Sequence, residues 1–472
     1  MPTGIGTQDN PLRVAIVGSG PAGFYAAGHL LKDRERSVQV DVYDRLPTPW
    51  GLVRAGVAPD HPNIKAVSRM YEKTAQHPEF RFYGNVEFGR DVDYDDLASR
   101  YHAVLYAVGA QTDRRMGIPG EDLPGSRAAT EFVAWYNAHP DYRELEFDLS
   151  AERAVVVGNG NVAMDVTRML ASDPDELAKT DVADHALEAL RRSNVKEVVV
   201  LGRRGPAQAA FTNPELLELR DMTGADVVVD PDDCRLDPLS AAAIEGEGHL
   251  TARRNVEILT EYAGSVPGGK GKRIALRFLV SPVEILGEDR VEGIRIVRNE
   301  LHRDEDGVLR PRATEAQEEI PCGLVFRSIG YRGVPLPGLP FDERSCVLPN
   351  EGGRVLDPER GEQLPGQYAV GWIKRGPTGI IGTNKKDAQE TVDSLFEDLE
   401  QGRLPEPADP DRSSLEELLR ERAPDHVTYV GWEAIDRRER EAGEPHGRPR
   451  VKLSALGELL EAAREADRER VS

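Results

Sequence analysis

Gly18, Gly20 and Gly23 follow the apolar run Val14–Val17 at the spacing GxGxxG, and Gly158, Gly160 and Ala163 follow Ala154–Val157 at the spacing GxGxxA. Small residues at such places meet three needs: a tight turn, close backbone approach to a diphosphate, and close packing of a helix on a strand. A helix opening directly after the loop turns free N–H groups and the positive end of its dipole toward the anion. The end of the next strand then discriminates between dinucleotides. Val38–Asp44 ends on an acid 21 residues past Gly23, where a carboxylate accepts hydrogen bonds from ribose hydroxyls and repels a 2′-phosphate. The run Glu197–Gly202 ends instead on Arg203-Arg204, and two guanidiniums can grip a 2′-phosphate in planar, charge-assisted hydrogen bonds. The first loop therefore suits FAD or NAD, and the second suits NADPH. The blander alternatives are a glycine turn in an ordinary βα unit, a solvated strand-end Asp44 and a solvated basic turn.

Three further stretches carry chemically useful residues. Pro47–Pro62 is too rich in Pro and Gly for a regular element, yet it holds Trp50, Leu52 and Val53 and ends near His61. A stiff, apolar loop of this kind can line one face of a flat aromatic ring. A loop histidine is by default only a hydrogen-bonding residue. Glu215 and Glu218, three apart, share one face of a helix with Asn213 as its expected N-cap and Pro214 at its first position. Gln367–Asn384 reads as strand, glycine turn and then a helix through Asp387–Leu399, whose N-terminus would stabilise negative charge on a cofactor.

The elements that must position these residues follow from periodicity. Strands are expected at Phe80–Val86, Tyr101–Val108 and the two runs preceding the glycine loops, and helices at Phe24–Leu31, 64–77, Tyr94–Ser99, Met164–Leu170 and Val182–Leu190. Residues 251–330 alternate strand-like runs (Arg277–Val280, Gly293–Val297, Leu324–Ile329) with turns, as an antiparallel appendage would. The tail from about 402 onward, with Arg437-Arg438-Glu439-Arg440-Glu441, reads as a solvated charged helix. The chain has 472 residues and a net charge of −22, which argues against a nucleic-acid binder. Its three cysteines, Cys234, Cys322 and Cys346, form no CxxC pair, so no disulfide framework, dithiol or metal-cluster spacing is present. No targeting segment or long apolar run is visible, and a cytoplasmic location is expected.

Long joined motifs add a resemblance covering nearly the whole chain. These are Val17–Ala22, Pro47–Arg54 with Val57–Pro62, Gly158–Ala163, Gly202–Pro206, Ala210–Thr212 and Gly371–Gly379. Together they resemble the adrenodoxin-reductase-like NADPH–ferredoxin reductases. The resemblance implies an α/β fold with two Rossmann-like domains of the two-dinucleotide flavoprotein class, the NADP domain inserted into the FAD domain. On this reading 1–112 and 331–472 form the FAD domain and 113–330 the NADP domain. FAD would lie on Gly18, Gly20, Pro21, Ala22, Gly23, Asp44, Leu52, Val86, Trp372, Gly379, Ile380 and Ile381. NADP would lie on Arg114, Asn159, Gly160, Asn161, Val162, Arg203, Arg204 and Glu215, with Gly379 near the nicotinamide. His61 and Glu218 match a pair that assists electron transfer at the flavin, and no metal is implied. The implied activity moves a hydride from NADPH to FAD and then single electrons to a ferredoxin-type iron–sulfur protein. Arg191, Arg192, Arg253, Arg254, Lys374 and Arg375 are candidates for a basic docking face. The competing classes are a flavin-dependent NADPH monooxygenase and a non-catalytic FAD/NADPH sensor; thioredoxin-reductase-type chemistry lacks its CxxC.

Overall fold

A computed structural model describes residues 4–246 and 248–471; Met1–Thr3, Glu247 and Ser472 lie outside the described residues. The chain opens on the parallel strands β1 (Leu12–Val17), β2 (Val38–Asp44), β3 (Phe80–Gly84) and β4 (Ala103–Tyr106). It leaves them through a two-residue strand, β5 (Thr112–Asp113), and builds a second sheet from β6 (Ser126–Ala128), β7 (Arg153–Val157), β8 (Glu197–Leu201), β9 (Ala225–Val229) and β10 (Lys272–Arg277). An antiparallel sheet of β11 (Val280–Leu286), β12 (Gly293–Arg303) and β13 (Leu309–Pro321) follows. Strand β14 (Leu324–Arg327) then returns to lie between β6 and β7, and β15 (Tyr331–Arg332) pairs with β5 as an antiparallel ribbon. Finally β16 (Asn350–Glu351), β17 (Arg354–Asp357) and β18 (Glu362–Ala369) complete the first sheet in the order β16-β17-β18-β4-β1-β2-β3. The second sheet, ordered β6-β14-β7-β8-β10-β9, is thus built entirely between two halves of the first.

The near-continuous apolar runs of β1, β4, β7 and β14 are buried because both faces of their parallel sheets are covered, that of β7 and β14 by helices on one side and by β11–β13 on the other. The helices that matter for function are α1 (Pro21–Leu30), α2 (Asn161–Ala171), α3 (Asn213–Asp221), α4 (Leu250–Ala263), α5 (Thr383–Glu400), α6 (Tyr429–Gly443) and α7 (Leu456–Val471). Separate apolar cores serve the two sheets, and a third joins the second sheet to the antiparallel one.

Four local expectations are corrected. The helix bearing Glu215 is entered from Thr212, not capped by Asn213; the Asn213 amide instead donates to Thr251 O (2.9 Å) and Asn255 Oδ1 (2.7 Å), tying α3 to α4. The span 251–330 is not one antiparallel appendage. It contains the 14-residue helix α4, and β10 and β14 belong to the parallel sheet, so only β11–β13 are appended. The helix expected at 64–77 is two, Pro62–Lys65 and Ser68–Ala75. The tail is not a solvated helix, for Trp432, Ile435, Leu459 and Ala462 sit in the first core. Inside its charged run Glu439 is fully buried, gripped by both terminal nitrogens of Arg54 at 2.5 and 2.8 Å. Removing one partner of such a buried pair costs about 3–5 kcal/mol, because the other charge is left unpaired.

Candidate functional site

Each glycine loop is a cradle between a strand end and an uncapped helix. Helix α1 has Gly20 at its N-cap and α2 has Gly160, neither with a side chain on the free N–H groups. A Cβ added at Gly20 or Gly160 would meet nothing within 4 Å, so both cradles have open space where a ligand backbone must approach. Around the first cradle other backbones close in. A side chain at Gly51 would strike Gly20 Cα at 2.8 Å, and one at Gly371 would strike the Ala22 methyl at 2.6 Å. Trp50, held at φ +82°, donates its backbone N–H to Ser19 O at 2.9 Å and packs its buried indole 4.9 Å from the Trp432 ring. Pro21, Ala22 and Gly23 open α1, while Leu52 sits half-exposed on the Pro/Gly loop. Asp44 accepts from Ser19 N (2.9 Å), the Ser19 hydroxyl and Leu46 N (2.9 Å), and Val86 N donates to its carbonyl at 2.9 Å. Burial raises the Asp44 pKa against these hydrogen bonds. The donor-and-acceptor set and the open cradle fit a dinucleotide.

The turn after Gly371 holds Trp372, whose indole donates to Thr378 O at 3.1 Å and whose ring lies 5.2 Å from that of Tyr331. Gly379 has φ +81°, Ile380 is exposed, and Ile381 leads into α5. At the second cradle Asn159 packs on Gly202, while Asn161 Oδ1 accepts from Thr212 N at 2.9 Å and is therefore spoken for. Val162 opens α2 beside it. Arg114, exposed, is tied by its backbone to Gly330 next to the β5–β15 ribbon. Arg203 and Arg204 make no side-chain hydrogen bond or ion pair with the described residues. The Arg203 carbonyl is held by the Asn299 amide at 2.8 Å. Burial, and then the charges of Arg203 and Arg310, lower the Arg204 pKa, as expected for a guanidinium crowded by other cations. A phosphate fits that surplus of positive charge.

The end of the Pro47–Pro62 loop meets helices α2 and α3 at a cluster centred on Arg168, a residue of α2 that is 3% exposed. Its guanidinium reaches Asp60 (3.0 Å), Asp165 (2.6 Å), Glu215 (2.6 Å) and Glu218 (3.4 Å). His61 Nε2 stands 2.7 Å from Glu218 Oε2 and 2.7 Å from Arg168 Nη2. One ring nitrogen cannot satisfy both: with a proton it donates to Glu218, and without one it accepts from Arg168. Burial pulls the His61 pKa down, yet the Glu218 hydrogen bond and the Asp165 and Asp60 charges leave it raised overall. The hydrogen bond from His61 lowers Glu218. Burial pushes Asp165 up to about 6 against the pull of Arg168. The structure thus joins His61 and Glu218, the pair the resemblance implies, and places Glu215, expected at NADP, in the same ion network. Arg168 and Asp165 escaped the sequence reading. Their i,i+3 spacing signals only a helical ion pair, and their other partners are far away in sequence. Oxygen and nitrogen atoms of His61, Glu215 and Glu218 approach one another closely enough to hold a metal, but Arg168 already stands among them as the cation.

The basic residues expected to dock a partner are each engaged locally. Lys374 is 8% exposed, bonded to Glu390 (2.6 Å) and Thr391, and Arg375 pairs with Asp387 (3.1 Å), so both are withdrawn into the packing of α5. Arg191 pairs with Asp175, Arg192 with Glu188 and Arg254 with Glu257 at half-exposed or exposed positions, and Arg253 caps the carbonyls of Ile244 and Gly246.

Two open cradles of opposite strand-end charge define a two-dinucleotide oxidoreductase. The pyridine nucleotide-disulphide oxidoreductase family matches residues 12–198. The NADPH-ferredoxin reductase FprA of Mycobacterium leprae is 56% identical over 452 residues, covering 95% of this chain and 97% of its own. The mitochondrial NADPH:adrenodoxin oxidoreductase of Salvelinus fontinalis is 44% identical over 471 residues, covering 96% and 91%. The solved structure of Mycobacterium tuberculosis FprA in complex with NADPH matches with a TM-score of 0.90 at 52% identity, over 96% of this chain and all of that one. The chain belongs to the NADPH–ferredoxin reductase family that includes FprA and adrenodoxin oxidoreductase. Its free cysteines Cys234, Cys322 and Cys346 leave no dithiol to work with.

Proposed function

We propose that the protein is a ferredoxin–NADP reductase that holds FAD in the first cradle, takes NADPH in the second, and delivers electrons to a ferredoxin-type iron–sulfur protein. The observation that carries this is the contrast between Asp44 and the unpartnered Arg203–Arg204 pair at otherwise equivalent loops. When bound, FAD would supply the exchange between two-electron and one-electron chemistry, so no protein nucleophile is needed. The chain's own residues bind and orient. Asp44 receives the adenosine ribose, and Gly18–Gly23, Leu52, Val86, Trp372 and Gly379–Ile381 line the FAD site. Arg203, Arg204, Arg114 and Asn159–Val162 hold NADP. His61 and Glu218 hold a proton at Nε2 between the two sites, and Arg168 fixes the carboxylates around it. We assign 1–112 with 331–472 to the FAD domain and 113–330 to the NADP domain. Among the described residues no helix is long and apolar enough to cross a membrane, and the proposal places the protein in the cytoplasm. Of the docking candidates, Arg191, Arg192 and Arg254 would serve an acidic partner by exchanging their ion pairs with Asp175, Glu188 and Glu257, and Arg253 adjoins Arg254 in sequence; salt should weaken such an association.

The test is NADPH-driven cytochrome c reduction with and without added ferredoxin, on protein checked for bound flavin. Strong ferredoxin dependence is expected. Turnover that ignores ferredoxin but rises with an organic substrate, yielding a hydroxylated product, would replace this reading.

A further inference from the structure

The two units are joined covalently only where the chain crosses at the β5–β15 ribbon, two residues on each side. So short a ribbon is a hinge, and domain motion is the default unless other contacts resist it. A second connection is made by residues 439–453, past α6. Glu439, held by Arg54, also accepts from Leu453 N at 2.9 Å and pairs with Arg450 at 3.1 Å. From there the chain crosses to the second unit. Arg448 donates to the carbonyls of Thr180 (3.0 Å) and Val182 and pairs with Asp184 (2.5 Å). Lys452, 1% exposed, uses its three N–H bonds in three directions: to Arg54 O (3.0 Å), to Asn137 Oδ1 (3.1 Å) and to Asp181 Oδ2 (3.2 Å). Lys65 takes the other Asp181 oxygen at 2.6 Å.

Arg54 lies seven residues before His61 and Lys65 four after it. The same buried knot therefore grips both flanks of the His61 loop and ties them to Asn137 and Asp181 of the second unit. Resting on the functional reading above, we infer that Lys452, with Arg448, is a positioning residue that locks the two units at the angle where NADPH in one reaches the flavin in the other. Lys452 touches neither cradle, so its loss should spare binding and slow transfer. A misplacement of about 1 Å between reacting groups can cost on the order of a hundredfold in rate.

The test is Lys452→Met, which keeps the length and removes all three donors. Four readouts are compared with wild type: anaerobic flavin bleaching by NADPH, the isotope effect with 4-deuterated NADPH, NADP+ affinity, and amide exchange at residues 178–184. The expected result is bleaching slowed about tenfold or more with a larger isotope effect. NADP+ affinity should stay within about threefold and amide exchange should be faster. Bleaching within about twofold of wild type, or a rate loss matched by equal loss of NADP+ affinity, overturns the inference. Should Lys452→Met yield protein without flavin, Arg448→Ala decides, with slower bleaching at unchanged NADP+ affinity expected and an unchanged rate overturning it. If wild-type flavin itself is not bleached by NADPH, the functional reading fails, while faster exchange at 178–184 in the variant would still report the lock.

Discussion

The two glycine cradles solve the same backbone problem and then part company. Gly18 (φ +107°) and Gly158 (φ +125°) each sit where a Cβ would collide with a carbonyl of the neighbouring crossover, Ala107 O at 2.5 Å and Ser328 O at 2.1 Å. Gly20 and Gly160 are ordinary in φ, at −74° and −93°, and their absent side chains leave empty space. The first glycine of each loop therefore serves the fold and the second serves the ligand. The strand ends differ in kind. Asp44 is fixed by three hydrogen bonds, two from Ser19 of the glycine loop and one from Leu46, whereas Arg203 and Arg204 stand side by side in sequence with no side-chain counter-ion among the described residues. A pre-organised acid inside a covered cradle suits a resident cofactor; exposed like charges suit a ligand that arrives and leaves.

Removing that difference should have the largest effect. Arg203→Ala with Arg204→Ala is expected to weaken NADPH binding about 10²- to 10⁴-fold, from ~1.5–3 kcal/mol per charge-assisted hydrogen bond, while NADH binding barely changes. Equal losses for both nucleotides in a binding titration would erase the assigned distinction between cradles. Next come the paired substitutions Gly20→Ala and Gly160→Ala. Compared as flavin-free proteins, both should melt within a few degrees of flavin-free wild type, since no strain or clash is introduced. The first should purify without FAD; the second should keep FAD and lose about tenfold in NADPH affinity, as expected for a lost close approach worth roughly 1.4 kcal/mol. A Gly20→Ala protein saturated with FAD would contradict the role given to that cradle.

Smaller effects are expected at the junction. Glu218→Gln should move the His61 titration, followed by its ring-proton NMR signal, to lower pH, because burial and Arg168, which both lower it, then act with less opposition. For the stability carried by the His61 charge the sign is fixed. A raised folded pKa contributes fully below the unfolded value of about 6.5 and is lost as pH rises through the folded one. Asp165 slopes the same way over a lower window, stability again falling as pH rises. Its carboxyl is raised to about 6, so its ionisation erodes stability between its unfolded value and that pH. Asp165→Asn should flatten the melting temperature over that interval; an unchanged slope would show that Arg168 fully offsets the burial.

The strand–turn–helix of both cradles and the charges at their strand ends were legible in the sequence because the pattern is local, spanning 14–44 in the first and 154–204 in the second. The His61–Glu218 pair was legible only through resemblance, since its partners are 157 residues apart. Arg168 was not, for the same reason multiplied by four carboxylates. Helix α4 was lost among strand-like neighbours, although Asn255, Ile258, Leu259 and Tyr262 are buried at helical spacing. Glu439 shows the opposite error, where a charge run suggested water and one member turned out to be the buried counter-ion of Arg54.

The insertion of one sheet inside the other has a consequence for how the protein is made. Strand β4 is wholly buried in the finished molecule between β1 and β18, yet more than 250 residues separate Tyr106 from Glu362. On the ribosome, the first sheet must wait with an open apolar edge while the whole second sheet is synthesised and folds. At about 5–20 residues per second that interval is on the order of tens of seconds, long enough for mispairing or aggregation unless the nascent chain is shielded.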